Sequence, residues 1–231
     1  MFPQEEPMRP AGKGAYVARV GRPPSGFAGE VEARILDAAA QVFLERGFDG
    51  ASIGEIAEVA RAGKPTIYAR YPDKDALFEA AFLRRLAARN ARLENHHAEG
   101  GSVEERLVSI GVALVQESLT DDFIGLMRLA VAEARRLPDM VEGLVMQCRE
   151  RGQRSVVRLL VEGVGEPVLS DRNDPRAVKA GRMFAESVLL PFLLRALAQR
   201  DLPALRLEIA AHVRERAVFF LAGLRNGGLG D

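Results

Sequence analysis

The residues of this 231-residue chain that are best suited to specific chemistry lie in one short segment, KPTIYARYPDK, from Lys64 to Lys74. In a helix, at about 100° per residue, Ile67 and Tyr71 point to one side and pack inward. The opposite side carries small, polar or basic residues, namely Pro65, Thr66, Ala69 and Arg70, with Lys64 and Tyr68 at its border. This pattern favours a surface that approaches an acceptor-rich or anionic partner closely and donates hydrogen bonds to it.

A short helix with this outer face fits the major groove of DNA. Arg70 can donate two hydrogen bonds to a guanine edge, and Thr66 can bond to a base or offer its methyl group to thymine. Lys64, Tyr68 and Lys74 lie where a phosphate backbone would run, and Lys74 begins a helix whose positive end also favours phosphate. We therefore expect double-stranded DNA to be the partner of this segment.

Three predicted helices position the segment. The first ends at Gly47, and the second begins at Ser52, which forms the S-x-x-E pattern of a capping box with Glu55. The third helix is the segment itself, and it ends before Pro72. Asp73 then caps a long fourth helix. Two short helices joined by a tight turn, with another helix in front, predict a helix-turn-helix unit.

The remainder of the chain is also predicted to be helical, which makes the fold class all-α. Ala, Leu, Arg and Glu dominate, and strand-forming residues are sparse after the first hundred positions. Helical periodicity predicts five further helices, at about 102–118, 121–136, 138–163, 175–199 and 203–224.

Composition and charge narrow the class of protein. The formal net charge is zero, so a DNA-binding surface must come from the distribution of charge and not from its sum. A single cysteine, Cys148, rules out an intrachain disulfide and favours a reducing compartment. The start of the chain does not resemble a signal peptide, and no apolar run reaches the ~18 residues that span a bilayer. We expect a cytoplasmic, nucleoid-associated protein with no membrane partner.

No motif predicts catalysis, and we expect no catalytic residue, no metal and no cofactor. The chain lacks a glycine-rich phosphate loop, an HExxH motif and a G-x-S-x-G motif. His96 and His97 are adjacent, so on a helix they point about 100° apart and make poor joint metal ligands. Cys148 is expected to be a small buried residue and not a redox sensor.

The run from Ile35 to Phe82 resembles the N-terminal domain of the tetracycline-repressor (TetR) family of transcriptional regulators. Members typically show K-x-T-[LI]-Y, two more residues, an aromatic residue and then a lysine that opens helix four. The positions that match are Lys64, Thr66, Tyr68, Tyr71 and Lys74. The run FIGLMRLAVAEARRLPDM, from Phe123 to Met140, also resembles the ligand domain of a subgroup of the family.

The resemblance implies function as well as fold. It implies DNA contacts from Lys64, Pro65, Thr66, Tyr68, Arg70 and Lys74, with Ser52 touching a phosphate at the start of helix two. It also implies a DNA-binding domain at 29–76 and a C-terminal ligand-binding and dimerisation domain at 77–231. Residues 1–28, rich in Pro, Gly and basic residues, are predicted from composition to be a flexible basic arm. The expected function is that of a ligand-responsive repressor that binds a palindromic operator.

Two residues depart from the family pattern. Gly54 stands where members often have Arg or another polar residue, so one expected contact is missing. Arg61 stands where the turn commonly has Gly, and a non-glycine residue at positive φ is uncommon. We therefore expect helix two to continue for a few residues past the usual turn.

The N-terminal arm contains the sequence VGRPP, which has two interpretations. Arg22 can enter a narrow minor groove, as arginines in other DNA-binding arms do. Alternatively, the arm is a solvated tail with no contact to DNA.

A homodimer is expected, because one helix-turn-helix reads only a few base pairs, whereas two copies about a two-fold axis read a palindrome. The resemblance implies that the last two long helices form the interface. Their candidate interface residues are Phe184, Val188, Phe192, Ile209, Val213 and Phe220. The alternative is that these residues fill the core of each protomer.

The resemblance also implies a small-molecule effector. Helix 121–136 and its neighbours supply the candidate pocket residues Phe123, Met127, Arg128, Met146 and Met183. Methionine adapts to irregular ligands, but core packing is the alternative reason for its presence. Arg128 either anchors a polar ligand group or is a surface charge.

Overall fold

A computed structural model describes residues 25–98, 100–163, 171–198 and 201–226. Within these ranges the chain forms helices and no strand, which confirms the all-α prediction. In chain order the helices are α1 (Ser25–Gly50), α2 (Ile53–Val59), α3 (Lys64–Tyr68), α4 (Lys74–Glu94), α5 (Val103–Ser118), α6 (Asp121–Glu133), α7 (Pro138–Gly163), α8 (Pro175–Ala198) and α9 (Leu202–Arg225). Helix α1 begins inside the segment predicted as an arm, and Arg22 lies outside the described residues.

Local signals fix the ends of the first helices. Gly47 interrupts α1 with a φ of 74°, as its position after the apolar stripe predicts. The Ser52 hydroxyl caps α2 by accepting from the Glu55 amide at 3.1 Å. The Glu55 carboxylate does not complete the predicted capping box, because it accepts from Arg46 Nε at 3.0 Å instead. Asp73 caps α4 as predicted, accepting from the amide of Ala76 at 2.8 Å.

The prediction for Arg61 is wrong. Helix α2 ends at Val59, and Arg61 itself adopts the left-handed conformation, with a φ of 49°. The amide of Ala62 donates to the carbonyl of Ala57 at 2.9 Å, and the amide of Arg61 donates to that of Glu58 at 3.1 Å. This pair of bonds is the Schellman closure of a helix C-terminus, and it compensates the backbone strain at a position usually given to glycine.

Two buried cores hold the helices together. The first, which we call the DNA-side core, joins α1–α4 to the inner faces of α6 and α7. Its centre is a cluster of three rings, in which Phe43 and Phe78 lie 5.1 Å apart edge to face and Phe48 lies 5.5 Å from Phe78. The second, the distal core, joins α5, α7, α8 and α9. Helix α4 enters both, because Leu86 packs in the DNA-side core and Leu93 in the distal core.

The predicted interface residues of the last two helices lie in the distal core, which corrects the prediction. Five of them are buried within one protomer: Phe184, Val188, Phe192, Ile209 and Val213. The sixth, Phe220, is half-buried, and its ring centre lies 5.2 Å from that of Phe184. The five buried residues leave no surface for a second copy, so core packing accounts for them, whereas Phe220 keeps part of its surface.

Candidate DNA interface and inner cavity

Helix α3 is anchored by the two residues predicted to face inward. Ile67 is fully buried, and Tyr71 is buried with its hydroxyl donating to Glu32 Oε1 at 3.1 Å. Burial, followed by the nearby Glu32 carboxylate, raises the pKa of Tyr71 to about 12. The anchoring leaves the outer face of α3 open to a partner, and Tyr68 on this face is 53% exposed.

The outer face carries the predicted contact residues. Pro65, Ala69 and Arg70 are exposed, and Thr66 is half-buried. The Arg70 guanidinium folds back along α3, where Nη1 donates to the carbonyl of Thr66 at 3.2 Å. The orientation of α3 predicted from helical periodicity is therefore confirmed, while contact of its outer face with DNA stays a prediction.

Gly54 explains where the side chain of Lys64 lies. A Cβ atom added at Gly54 would lie 3.2 Å from both Cε and Nζ of Lys64, and 3.7 Å from the Ser52 hydroxyl. The ammonium group and the hydroxyl thus converge over α2, in space that a longer side chain at position 54 would occupy. The residue that departs from the family pattern is the one that gives Lys64 this position.

Lys74 is engaged within the protein. Its ammonium group donates to the carbonyls of Phe48, Asp49 and Ala51 at 2.9, 3.4 and 3.3 Å, and it lies 4.6 Å from the centre of the Phe48 ring. These bonds tie the start of α4 to the connection between α1 and α2. The phosphate contact that the sequence suggested for this side chain is untested, and it requires the ammonium to give up at least one of these carbonyls.

A cavity of about 310 Å³ lies between α5, α6, α7 and α8, and we call it the inner cavity. Its volume is at the lower end of the range for small-molecule sites. The apolar residues and the thiol that line it include Leu114, Met127, Val145, Cys148, Gly152 and Leu189. Burial raises the pKa of Cys148 to about 11, so the thiol keeps its proton at neutral pH.

Of the five predicted pocket residues, the structure brings Met127 to the inner cavity. Phe123 is buried nearby in the DNA-side core, and Met146 and Met183 are exposed. Arg128 is not a plain surface charge, because its Nη2 and Nε donate to the carbonyls of Ala196 and Leu197 at 2.6 and 3.2 Å, and a ligand contact by it stays a prediction. It closes the C-terminus of α8, where a cation also meets the negative end of the helix.

Sequence reasoning missed Arg89, a residue of α4 that is 1% exposed. Its guanidinium lies over the ring of Phe123, 4.9 Å from the ring centre. The signal for it is present in the sequence: Phe82, Leu86, Arg89 and Leu93 follow one another at helical spacing, so an arginine occupies a position of the buried stripe.

The described residues offer no evident metal site. His96 Nε2 lies 2.9 Å from the hydroxyl of Ser109, which accounts for the orientation of its ring. Among the residues in the described ranges, no three or more His, Cys, Asp or Glu side chains are arranged so that they could hold a metal ion. No helix within those ranges is long and apolar enough to cross a membrane.

Two family models match the chain. Residues 35–81 match the model of bacterial regulatory proteins of the tetR family, and residues 105–223 match the C-terminal domain of AefR-like transcriptional repressors. The second match alone spans more than half of the chain. The protein belongs to the TetR family and is a DNA-binding transcriptional regulator, with a C-terminal region of the AefR-like type.

Individual relatives agree with this assignment. A segment of 84 residues, 36% of this chain, is 33% identical to the uncharacterized HTH-type transcriptional regulator YvkB of Bacillus subtilis (strain 168), and it spans 43% of that protein. The fold is similar to that of a protein described as a TetR-family transcriptional regulator from Mesorhizobium loti MAFF303099, with a TM-score of 0.70, 23% identity and coverage of 84% of this chain and 96% of that one. A transcriptional regulator from Pseudomonas aeruginosa PAO1 has a similar fold, with a TM-score of 0.61, 19% identity and coverage of 86% of this chain and 91% of that one.

Proposed function

We propose that this protein is a ligand-responsive repressor that binds a palindromic operator as a homodimer. The observation that carries the proposal is the open outer face of α3, where Tyr68 and Arg70 are exposed beside Thr66 while Ile67 and Tyr71 fasten the helix to the DNA-side core. A rigidly held helix with a small basic face enters a major groove without first reorganising. The match of the C-terminal region to a repressor domain supports repression as the mode of action.

The contacts to DNA divide into two sets. Arg70 and Thr66 face the base edges, where they read sequence, and Pro65 and Ala69 allow close approach. Lys64, Tyr68 and Ser52 contact the phosphates, which gives affinity without sequence preference. The convergence of the Lys64 ammonium and the Ser52 hydroxyl beside Gly54 supports one shared phosphate position.

The experiment that tests DNA binding is selection of bound fragments from a random DNA pool by the full chain. We expect an inverted repeat with two half-sites. Arg70→Ala should lose preference at one base pair of each half-site, at a cost of about 1–3 kcal/mol. Failure to enrich any sequence contradicts operator binding, and enrichment of a single unpaired half-site contradicts binding as a symmetric dimer.

The dimer interface is formed by the outer faces of α8 and α9, and not by the buried residues that periodicity singled out. Large apolar side chains are exposed on both helices, and the most exposed are Leu207 at 87%, Phe219 at 77% and Leu194 at 66%. Leu207 and Val218 fall on one stripe of α9, and Leu190 and Leu194 on one stripe of α8. Apolar stripes on two neighbouring helices suit a second copy of this chain, because the symmetric packing of two such pairs makes a four-helix interface.

Sedimentation of the full chain tests the interface. We expect a dimer without DNA, and a monomer for the double variant Leu194→Glu/Leu207→Glu. Val131→Glu is the matched control, because Val131 is also apolar and exposed but lies on α6. A monomeric wild-type chain, or a dimer that survives the double substitution, contradicts this interface.

Response to an effector is carried by α6, which joins the inner cavity to the DNA-binding helices. Met127 of α6 lines the cavity, and Gly125 lies so close to α1 that a Cβ there would come within 2.4 Å of Leu44. Beyond the end of α6, Arg136 donates to both carboxylate oxygens of Asp75 at 2.9 and 3.2 Å and lies 4.6 Å from the centre of the Phe48 ring. A ligand that displaces α6 therefore moves the parts that hold α3, and it shifts the population of DNA-competent protein by its differential affinity.

A further inference from the structure

The Arg89 guanidinium is a buried cation with neutral partners. Its Nε and Nη2 donate to Asn90 Oδ1 at 3.3 and 3.1 Å, and its Nη1 donates to the Ser118 hydroxyl at 3.3 Å. No carboxylate of the described residues lies within ion-pair distance of it: the nearby Glu117 carboxylate acts on Arg89 from farther away and is itself paired with Arg92 Nε. A buried charge without an opposite charge is strongly unfavourable, and proteins usually pair it.

A second donor beside Arg89 lacks a partner. Asn90 is only 5% exposed, and its side-chain nitrogen Nδ2 donates to no atom of the described residues. An amide N–H group buried without an acceptor is rare in folded proteins. Arg89 and Asn90 thus form a buried site with an excess of donors and positive charge.

The site lies directly beside the inner cavity. A Cβ atom at Gly152, which lines the cavity, would lie 3.9 Å from Arg89 Nη2 and 3.7 Å from Leu114 Cδ1. Glycine at this position therefore leaves space beside the guanidinium, at the border of the cavity, that a side chain would fill. Burial lowers the pKa of Arg89, although the guanidinium keeps its proton at neutral pH.

The rim of the cavity has a positive excess. Arg149 and Arg182 lie there with one acid, Glu186, which accepts from Arg149 Nε at 2.5 Å. This ion pair connects α7 to α8 beside the cavity. Arg182 is exposed and has no ion-pair partner among the described residues. The rim attracts anions, whereas the walls are apolar.

We propose that the effector is a small amphiphilic carboxylate, whose apolar body fills the inner cavity and whose carboxylate pairs with Arg89. This inference rests on the proposed function, since it names the chemical class of the effector of an effector-responsive regulator. A carboxylate accepts two hydrogen bonds from a guanidinium in one plane and supplies the missing negative charge. A neutral molecule of the same shape leaves that charge uncompensated.

The competing explanation is that Arg89 is a structural tie between α4 and α5 through Ser118. The two explanations predict opposite effects of Arg89→Met on the ligand-free chain. If Arg89 is an unpaired charge kept for a ligand, Met removes an unfavourable group and the Tm stays the same or rises. If Arg89 is a structural tie, the Tm falls and ligand binding has no connection with it.

The experiment uses thermal melting and calorimetric titration of the full chain with octanoate, octanamide and octylphosphonate as probes. We expect octanoate at about 100 times its Kd to raise the Tm by roughly 5–10 °C. Octanamide should bind at least about tenfold more weakly, because it brings no charge to a desolvated cation. Octylphosphonate separates carboxylate recognition from recognition of any anion, and binding as tight as that of octanoate overturns the carboxylate assignment.

Variants decide whether Arg89 is the partner. Arg89→Met should weaken octanoate binding at least about tenfold, as loss of a charge-assisted bidentate pair does. Arg92→Met is the matched control, because Arg92 lies on the same helix but is exposed and paired with Glu117. Gly152→Val is the second test, since it leaves Arg89 intact and fills the space between its guanidinium and the cavity. Unchanged octanoate affinity in the folded variant overturns the proposal.

DNA binding is measured alongside, with fragments selected from the random pool. If wild-type protein binds DNA but no carboxylate raises its Tm, the carboxylate inference fails and the proposed DNA-binding function stands. If octanoate binds through Arg89 without weakening DNA binding, the ligand site stands and the effector response of the proposed function fails.

Discussion

At the scale of single residues, the two lysines of the interface have different environments. Lys64 extends over Gly54 toward the Ser52 hydroxyl, at a position open to a phosphate. Lys74 directs its ammonium group at three carbonyls and an aromatic ring of its own protein. The same residue type can therefore contribute to DNA affinity in one case and to the stability of the DNA-binding unit in the other.

We expect Lys64→Ala to lower the salt slope of DNA binding by about one unit, because one phosphate contact is lost. Lys74→Ala should leave the slope unchanged and lower the free energy of unfolding by about 1–3 kcal/mol, because the carbonyls of Phe48, Asp49 and Ala51 lose their donor. The measurements are DNA affinity at several salt concentrations and urea unfolding of the free protein. A reduced slope for Lys74→Ala would instead support the phosphate contact expected from its place in the sequence.

Tyr71 makes the stability of the fold depend on pH at the alkaline end. Its pKa is about 12 in the folded chain, against about 10 in an unfolded one. Below pH 10 the hydroxyl is protonated in both states, so its contribution is complete. Between about pH 10 and 12 the unfolded state loses its proton first, and stability falls as the pH rises.

Absorbance titration of tyrosinate tests this prediction. The chain has three tyrosines, and the difference between wild type and Tyr71→Phe should isolate a step with its midpoint near pH 12. Urea unfolding at pH 9 and 11 should show a smaller loss of stability in Tyr71→Phe than in wild type. A difference step near pH 10 would mean that Tyr71 is neither buried nor beside Glu32.

At the scale of helices, the sequence predicts where a helix begins and ends better than it predicts what each face of the helix contacts. Caps such as Ser52 and Asp73 act on amides within three residues, so local sequence predicts them. Periodicity shows that Phe184 and Val188 share a face of α8, but it does not show whether that face meets its own core or a second copy. The conformation of Arg61 is not predictable from residue type, because its strain is compensated by hydrogen bonds at the end of α2.

The candidate site, likewise, was predictable from the sequence only in part. The outer face of α3 follows from helical geometry, because the helix is short and its two apolar residues fix its orientation. The inner cavity lies between four successive helices, whose packing against one another periodicity does not give, and only Met127 among the predicted residues reaches it. Arg89 shows that a charged residue within an apolar stripe marks a buried polar site, and helical spacing alone is enough to recognise that signal.

The close packing of α7 against α8 gives a prediction at this scale. A Cβ at Gly181 would lie 2.4 Å from Val157 Cγ2 and 3.3 Å from the Val157 amide nitrogen, so Gly181→Ala should lower the free energy of unfolding by about 1–3 kcal/mol. Gly143→Ala, on α7 with no atom within 4 Å of the new Cβ, is the matched control and should raise it by about 0.5–1 kcal/mol. Equal effects of the two substitutions in urea unfolding would contradict this packing.

At the scale of the whole molecule, the DNA-binding helices and the helices around the cavity share their interior. The rings of Phe82 on α4 and Phe123 on α6 lie 5.8 Å apart in the DNA-side core. Arg136 adds a polar connection outside that core, through Asp75 on α4. Because packed interiors shift between discrete arrangements, motion at the cavity is transmitted as a change of helix position and not absorbed locally.

By reciprocity, DNA binding should also act on the cavity side. We expect bound DNA to slow amide hydrogen exchange in α6 as well as in α2 and α3. Arg136→Ala should keep the protection of α2 and α3 and lose most of that in α6, whereas Arg135→Ala, which changes the neighbouring residue, should lose neither. Protection of α6 that persists in Arg136→Ala would show that the apolar packing alone transmits the change.

The shared core has a consequence for recombination between regulators of this family. A chimera that joined α1–α4 to a foreign sensor would place Phe82 and Leu86 opposite side chains never selected to fit them. Transferring the apolar face of α6 together with α1–α4 would avoid the mismatch, since Phe123, Leu126 and Ala130 complete the DNA-side core. The unit that can be exchanged or inherited intact is therefore discontinuous along the chain, and crossover points chosen between α4 and α5 would cut through it.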